Sequence, residues 1–475
     1  IGFINSLILF PKYLSTEEIG LLRQIISAAT LLLPLSAFGI SATAIKFHPE
    51  FSLESKPKNQ FFSFQFFLAL IGFCFVILLV WIFFPHISYF FSKKSKLLID
   101  YFDIIIIILF LLTTSTIFEA FLKARMDIIL PNFTNGVLNR LLTTFSVLLL
   151  SFSIIDFYKM IYLQIPIYGL GVTVLIIYSY KKESFKLYFQ IDKIKNKIVK
   201  ILNFSFYSLI TGFGNVIILN VDILMVSAFL GLSDTGIYTT AFYIAIIIEM
   251  PRRAISQIST PILSKLFNNN DLNTINNHYK MVSTNQLIIG ILLYLLVIIN
   301  LENIYNLIPN KENFISGIGV VSIICVAKLI NMSSSFGSEL IMMSKHYRFN
   351  VTTIIILSII TITSNYFLIP QFGIIGAAYA ALISSVVFNL IKVIFIYQKL
   401  GFFPYTRNTF LILFTGGIVY YLTSYIPKIE NLIIDIILKS FVTFILFILP
   451  IYFFNLSKEF NELISKYISN KNLKF

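Results

Sequence analysis

The chain has 475 residues, of which 57% are hydrophobic and 12% charged, with a mean hydropathy of +0.87 and a formal net charge of +14. A soluble domain carries roughly a quarter charged residues, so water is not the main solvent of this one. The basic excess does not require nucleic acid, because juxtamembrane Lys and Arg produce the same number.

Crossing the hydrocarbon takes about 20 mostly apolar residues, and only helices or closed barrels satisfy the backbone there. Continuous Ile/Leu/Phe runs, rather than ten-residue alternations, select helices. The opening run, Ile1 to Phe10, is half a span long and reads as the C-terminal half of a first helix. A cleaved signal peptide is the weaker reading, since no small-residue cleavage pattern is present. Further spans are expected at 19–45, 61–84, 101–122, 131–154, 157–179, 203–229, 236–266, 282–301, 314–343, 350–369, 373–398, 408–426 and 431–455. The expected fold is an all-α polytopic membrane protein of about fourteen transmembrane helices.

Alternate connections differ in Lys and Arg. One set, including the basic link 180–200, holds twenty-two, and the other seven. By the positive-inside rule the first set is cytoplasmic, and both termini of the complete chain are expected inside.

A weak repeat runs along the chain at an offset of 216 to 220 residues. Leu14-Ser15 leading to Gly20 recurs as Leu232-Ser233 leading to Gly236, and Pro34 recurs as Pro251. Thr113-Thr114-Ser115 with Glu119 recurs as Ser333-Ser334-Ser335 with Glu339, and Asn132 as Asn350. Six helices separate the copies, so two pseudo-symmetric six-helix lobes of the same topology are expected, related by an axis along the membrane normal. The domains are then an N-lobe at 1–179, a basic cytoplasmic linker at 180–200, a C-lobe at 201–398, and a final helix pair with a cytoplasmic tail at 399–475.

Ionisable residues inside the hydrocarbon face a cavity or a partner. If Pro251 matches Pro34, Arg252 and Arg253 lie within the eighth helix, roughly 25 Å along it from Gly236. Arg140 lies about 14 Å into the fifth helix, near the midplane, and Lys328 lies in the tenth. These four are the candidate substrate-binding cations. The competing reading ends the eighth helix at Met250 and lets both arginines snorkel to headgroups, but Ile255, Ile258, Ile262 and Leu263 continue an apolar face beyond them. For Arg140 and Lys328 the competing roles are a structural contact and snorkelling.

Arg23 and Asp222 are candidate partners in an external gate, with chance interfacial placement as the alternative. Glu119 and Glu339 are candidates for proton or cation coupling, against simple pairing with Lys123 and Lys345. Asn215 and Asn220 add polarity to the seventh helix, and Pro34 and Pro251 are expected to bend theirs. His48, His86, His278 and His346 are dispersed, Cys74 and Cys325 lie in apolar segments without CxxC spacing, and no P-loop pattern occurs. No metal, cofactor or catalytic site is expected.

Three stretches carry a family resemblance: GFINSLILFPKYLSTEEIGLLR from Gly2 to Arg23, VDILMVSAFLGLSDTGIYTTAFYIA from Val221 to Ala245, and FLIPQFGIIGAAYAALIS from Phe367 to Ser384. They resemble oligosaccharide flippases of the O-antigen translocase type, in the superfamily of multidrug, oligosaccharidyl-lipid and polysaccharide exporters. The resemblance implies two six-helix lobes around a central cavity, a further helix pair, and transport rather than enzymology. The implied substrate is an undecaprenyl pyrophosphate-linked oligosaccharide, such as an O-antigen unit of lipopolysaccharide, carried across the bacterial inner membrane by alternating access. Implied partners are membrane lipids and the polysaccharide polymerase and chain-length machinery. A cation-coupled multidrug exporter of the same fold is the runner-up. A membrane glycosyltransferase or polymerase ranks lower, since the longest external connection, Pro85 to Asp100, offers no acidic metal motif.

Overall fold

The computed structural model describes residues 2–462 apart from 52–53, 183–184, 191, 193, 270, 335 and 347. Among the described residues the chain is helical, with no strand. Among the described residues eleven helices are long and apolar enough to cross a membrane: α1 (Thr16–Ala37), α2 (Ser55–Ser92), α3 (Phe102–Lys123), α4 (Ile129–Ser151), α5 (Phe157–Lys182), Lys195–Ile218 at the start of α6 (Ile198–Leu230), α9 (Leu272–Ile299), α10 (Ile315–Ser333), α12 (Arg348–Phe372), α13 (Ile374–Leu400) and α15 (Leu432–Phe453). Between them lie α7 (Leu232–Ala245), α8 (Met250–Asn268), α11 (Gly337–Met343) and α14 (Arg407–Ser424). The protein is a multi-pass membrane protein.

Five expected spans take another form: the second, 19–45, breaks at Phe38 and Gly39, both at positive φ, before a separate helix at Ile40–Phe51, and the tenth, 314–343, breaks after Ser333, leaving α11 as its last part. The opening segment is three short turns over Gly2–Tyr13, including a π turn at Asn5–Leu9. The eighth span is two helices, α7 and α8, joined by a 3-10 turn at Ile246–Glu249. Pro251 in the first turn of α8 explains the break, because it has no N–H to donate to the carbonyl four residues back. The thirteenth, α14, is 18 residues long with Arg407 and Asn408 in its first turn.

Contacts divide the chain into two units, residues 1–239 with 365–374, and residues 240–364 with 375–475. In the first, Leu21, Ile25, Ile104, Ile105 and Ile108 of α1 and α3 form one core, and Phe62, Phe118 and Phe121 meet Leu175 of α5 in another. In the second, Leu263, Ile275, Tyr279, Phe336 and Ile396 form one core and Leu287, Ile291, Ile412 and Phe447 another.

The packing of α15 shows which solvent the fold was built for. Asp435, Lys439, Thr443, Phe447 and Ile451, spaced four apart, are its buried stripe, while Ile437 and Phe441 are more than 60% exposed. A water-soluble helix would bury the apolar face and expose the charges. Here the ion pair turns inward, with Lys439 Nζ 2.8 Å from Asp435 Oδ2, and the hydrocarbon side chains are left for lipid.

The repeat has a structural counterpart inside the first unit. Ser15 caps α1 with a capping box, its hydroxyl accepting from Glu18 N at 3.2 Å while Glu18 Oε2 accepts from Ser15 N at 2.7 Å. Four residues into α1, Gly20 lies so close to α7 that a Cβ would run into the Leu232 carbonyl oxygen. In return, a Cβ on Gly236 would run into the Thr16 carbonyl oxygen. Thr16 Oγ1 and Ser233 Oγ close the contact at 2.7 Å. Contacts 16 to 236 and 20 to 232 are reciprocal, the pattern made by two equivalent segments around a local two-fold axis. Only glycine permits this backbone approach.

Outside the spans, the turn between α3 and α4 carries a buried acid. Asp127 accepts from Lys182 and, at 2.9 Å, from Tyr178. The Lys182 hydrogen bond, aided by Tyr178, holds its carboxyl below the ordinary range. A depressed carboxyl contributes stability that is present above its unfolded-state pKa and lost as pH falls through the folded one. Asp127→Asn should therefore flatten the acid limb of a thermal-stability profile; an unchanged limb would show that the turn makes no pH-dependent contribution.

Candidate functional site

In the second unit, five charged side chains from a 3-10 turn and four helices form a cluster. Glu249 closes the 3-10 turn before α8, and Arg252 follows one turn later. Glu249 Oε1 lies 3.4 Å from Arg252 Nε, and Glu249 Oε2 lies 2.9 Å from Lys328 Nζ of α10. Lys328 also lies 5.1 Å from the centre of the Phe242 ring. All three side chains are largely buried.

The fourth and fifth charges are Glu339 of α11 and Lys392 of α13. Ser256, one turn beyond Arg252, donates to Glu339 Oε1 at 2.7 Å, while Glu339 Oε2 is buried without a hydrogen-bond partner. Lys392 is 1% exposed, with Nζ 3.3 Å from Ser338 Oγ and 4.1 Å from the centre of the Phe388 ring. No carboxylate lies within ion-pair distance of it among the described residues.

The described cluster thus holds three basic side chains against two acidic ones. Burying charge is costly unless it is paired, and an excess cation is the arrangement that an anionic ligand would complete. The structure brings Arg252 and Lys328 together through Glu249 and puts Arg252 in the first turn of α8, directly after the 3-10 turn that breaks the expected eighth span. Arg253 is in the same helix, and its side chain lies outside the described residues.

The other candidates fall in the first unit. Arg140 on α4 is exposed, and its guanidinium lies against Gly2, where a Cβ would be 2.7 Å from Nη1. Its carbonyl accepts from Asn5 Nδ2 at 3.2 Å and from Thr144 Oγ1 at 2.8 Å. Arg23 reaches the same opening segment, donating from Nη2 to Ser6 Oγ at 2.6 Å and lying 5.2 Å from the Phe10 ring centre. Two guanidiniums therefore rest on residues 2–10. π turns lie on both sides of the Arg140 contact, at Asn5–Leu9 and Thr134–Leu138, and such turns are frequent at functional sites.

Asp222 of α6 is buried and accepts from Tyr238 OH at 3.2 Å and from Asn365 Nδ2 at 2.8 Å. Glu119 is paired with Lys123 at 2.7 Å and accepts from Ser115 at 2.9 Å and Asn135 at 2.6 Å. The repeat-related acids thus differ: Glu119 has partners on both oxygens, and Glu339 on one. Lys345 is exposed. The Asn215 side chain and Ser335 lie outside the described residues.

Sequence reasoning missed Glu249 and Lys392. Both had a signal: Glu249 precedes Arg252 by three residues, a helix-face spacing for ion pairs, and Lys392 interrupts the apolar run from Val386 to Tyr397.

The chain's first 267 residues match the model of the family described as "Polysaccharide biosynthesis protein". No curated protein matches the sequence. Among solved structures it is similar to one described as "Lipid II flippase MurJ, inward closed conformation", at 18% identity and a TM-score of 0.74, covering 94% of this chain and 95% of that one. It is also similar to an inward-facing multidrug resistance MATE family transporter of the MOP superfamily, at 11% identity and a TM-score of 0.68, covering 84% and 94%. A third likeness is to a MOP superfamily transporter from Pyrococcus furiosus, at 13% identity and a TM-score of 0.53, covering 81% and 88%. The fold is therefore that of the MurJ and MATE transporters, and the chain belongs to the polysaccharide biosynthesis protein family.

Proposed function

We propose that this protein is a flippase that carries an undecaprenyl pyrophosphate-linked oligosaccharide, an O-antigen or related unit, from the inner to the outer leaflet of the bacterial inner membrane. Alternating access moves the sugar and pyrophosphate while the polyprenyl chain stays in lipid, and both termini are cytoplasmic. The reading combines family membership with one observation that carries it: the excess of cations in the Glu249–Arg252–Lys328–Glu339–Lys392 cluster. Pyrophosphate is the part of the substrate that hydrocarbon rejects most strongly, and an incompletely neutralised cluster supplies the counter-charge. Arg252 pairs phosphate oxygens at two points through its planar fork, whereas Lys328 and Lys392 act as point charges. Arg253 is a further contributor in this reading. Because Glu249 and Glu339 offset part of the positive charge, the site holds its ligand weakly enough to release it.

A cation-coupled drug exporter of the same fold is the second reading, and the unpartnered Glu339 Oε2 favours it, since a buried half-satisfied carboxylate suits a proton or small cation. Deletion of the gene separates the two. The flippase reading predicts loss of surface polysaccharide, accumulation of lipid-linked sugar and unchanged drug susceptibility. Drug hypersensitivity with intact surface polysaccharide would establish the exporter instead.

A further inference from the structure

The second unit has another polar feature, remote in sequence from the charged cluster. A cavity of about 250 Å³ lies where α9, α14 and α15 end or begin, lined by Glu302, Asn303, Thr423, Ser424, Lys428 and Lys439 together with isoleucines. At about 30 Å³ per water it has room for roughly eight, enough for one small polar group. The wall facing the helices is fixed. Asp435 is 1% exposed, with Oδ2 accepting from Asn303 Nδ2 at 2.5 Å and from Lys439 Nζ at 2.8 Å, and Oδ1 accepting from Ile429 N at 3.1 Å. Asp435 thus pins the reversal between α14 and α15 and holds the Lys439 ammonium at the cavity. At the rim, Lys428 pairs with Glu302, and that hydrogen bond holds the Glu302 carboxyl below its ordinary range. Counting Asp435 behind the wall, the cavity has two positive and two negative groups, neutral in sum but with the signs separated.

Its setting indicates the kind of ligand. The cavity lies at the ends of apolar helices, beside exposed Tyr421 and Tyr425, which pair through their hydroxyls at 3.0 Å. Tyrosines at helix ends mark headgroup depth. A neutral, two-signed cavity at that depth, with isoleucines on its remaining wall, matches a ligand that is itself two-signed and attached to hydrocarbon. We propose that it binds the headgroup of a zwitterionic phospholipid bearing a primary ammonium, with the phosphate on Lys428 and Lys439 and the ammonium on Glu302. The lipid parts the rim pair and replaces it with two charge-assisted contacts. This site would brace the last helix pair against α9, and the assignment stands apart from the transport reading.

The test uses the full chain purified in detergent, with thermal unfolding followed on addition of short-chain phosphatidylethanolamine, phosphatidylcholine or phosphatidylglycerol, or of soluble phosphoethanolamine. Ligand bound only by the folded state raises the Tm. Phosphatidylethanolamine should give the largest rise and phosphatidylcholine a smaller one, because a quaternary ammonium cannot donate to Glu302. Phosphatidylglycerol should give the least. Glu302→Gln and Lys428→Gln, at exposed side chains, should each remove the phosphatidylethanolamine increment, whereas Lys311→Gln should keep it. An equal rise with phosphatidylglycerol, or an increment that survives both substitutions, would overturn the site. A full rise with soluble phosphoethanolamine would overturn its assignment to a lipid.

Discussion

Gly236→Val should unfold the protein at a markedly lower temperature than wild type, and Gly20→Val should do the same. Each added side chain would meet a main-chain carbonyl of the opposing helix, Thr16 for residue 236 and Leu232 for residue 20. A carbonyl inside a helix cannot rotate out of the way as a side-chain tip can, so α1 and α7 must separate. Overpacking in a well-filled core costs typically 1–3 kcal/mol, and here the Thr16–Ser233 hydrogen bond is lost as well. Because the contact is reciprocal, either substitution should undo both halves of it, and the double variant should be little worse than the singles. Gly417→Val, where nothing lies within 4 Å of the added Cβ, is the control. Detergent-solubilised thermal unfolding reads the difference; a Gly236→Val protein melting with wild type would show that α1 and α7 do not need this approach.

Glu249→Gln is the second substitution with a large expected effect. It removes the carboxylate shared by Lys328 and Arg252 and leaves both cations mostly buried. Breaking a buried pair from one side costs about 3–5 kcal/mol, because the surviving charge keeps its desolvation penalty. The side chains retain some exposure, so the lower end of that range is expected. Lys328→Met in the same chain should restore most of the loss, since it removes the stranded ammonium and puts an apolar side chain beside Phe242. A double-mutant cycle measures the coupling. If the Glu249→Gln loss is small, or the second substitution adds to it, the two residues do not act as a pair.

The class of the fold was legible because hydrocarbon imposes a coarse rule, long apolar runs interrupted by short polar ones, and the helices follow those runs closely. Arg252 was legible as helical from the apolar residues Ile255, Ile258 and Leu263 beyond it. Finer features depend on contacts that periodicity does not encode. The 3-10 turn at Ile246–Glu249 continues an apolar stretch as far as Ile248, so only Pro251 beyond it hinted at the break. The repeat was visible as matched residues, but which of them touch was not: Gly20 and Gly236 read as a pattern, and only the backbone approach gives them a physical role. Glu119 and Glu339 read alike in sequence and diverge because Lys123 and Asn135 complete one of them while Ser256 reaches one oxygen of the other. Lys392 lies in a helix that runs on toward a polar connection, where a lysine is expected to snorkel; only its contacts with Phe388 and Ser338 show that it is buried instead. The Asp435–Lys439 pair is spaced one turn apart in a helix that is otherwise almost wholly apolar, so composition alone gives it no weight.

The measurement that bears most directly on the account follows lipid-linked oligosaccharide in cells expressing Arg252→Glu or Lys392→Glu at wild-type protein levels. If the cluster's excess positive charge carries the pyrophosphate, reversing either charge abolishes surface polysaccharide and leaves the lipid-linked unit in the inner leaflet, while Lys311→Glu, in a connection outside the cluster, exports normally. Full export by both cluster variants would contradict the account.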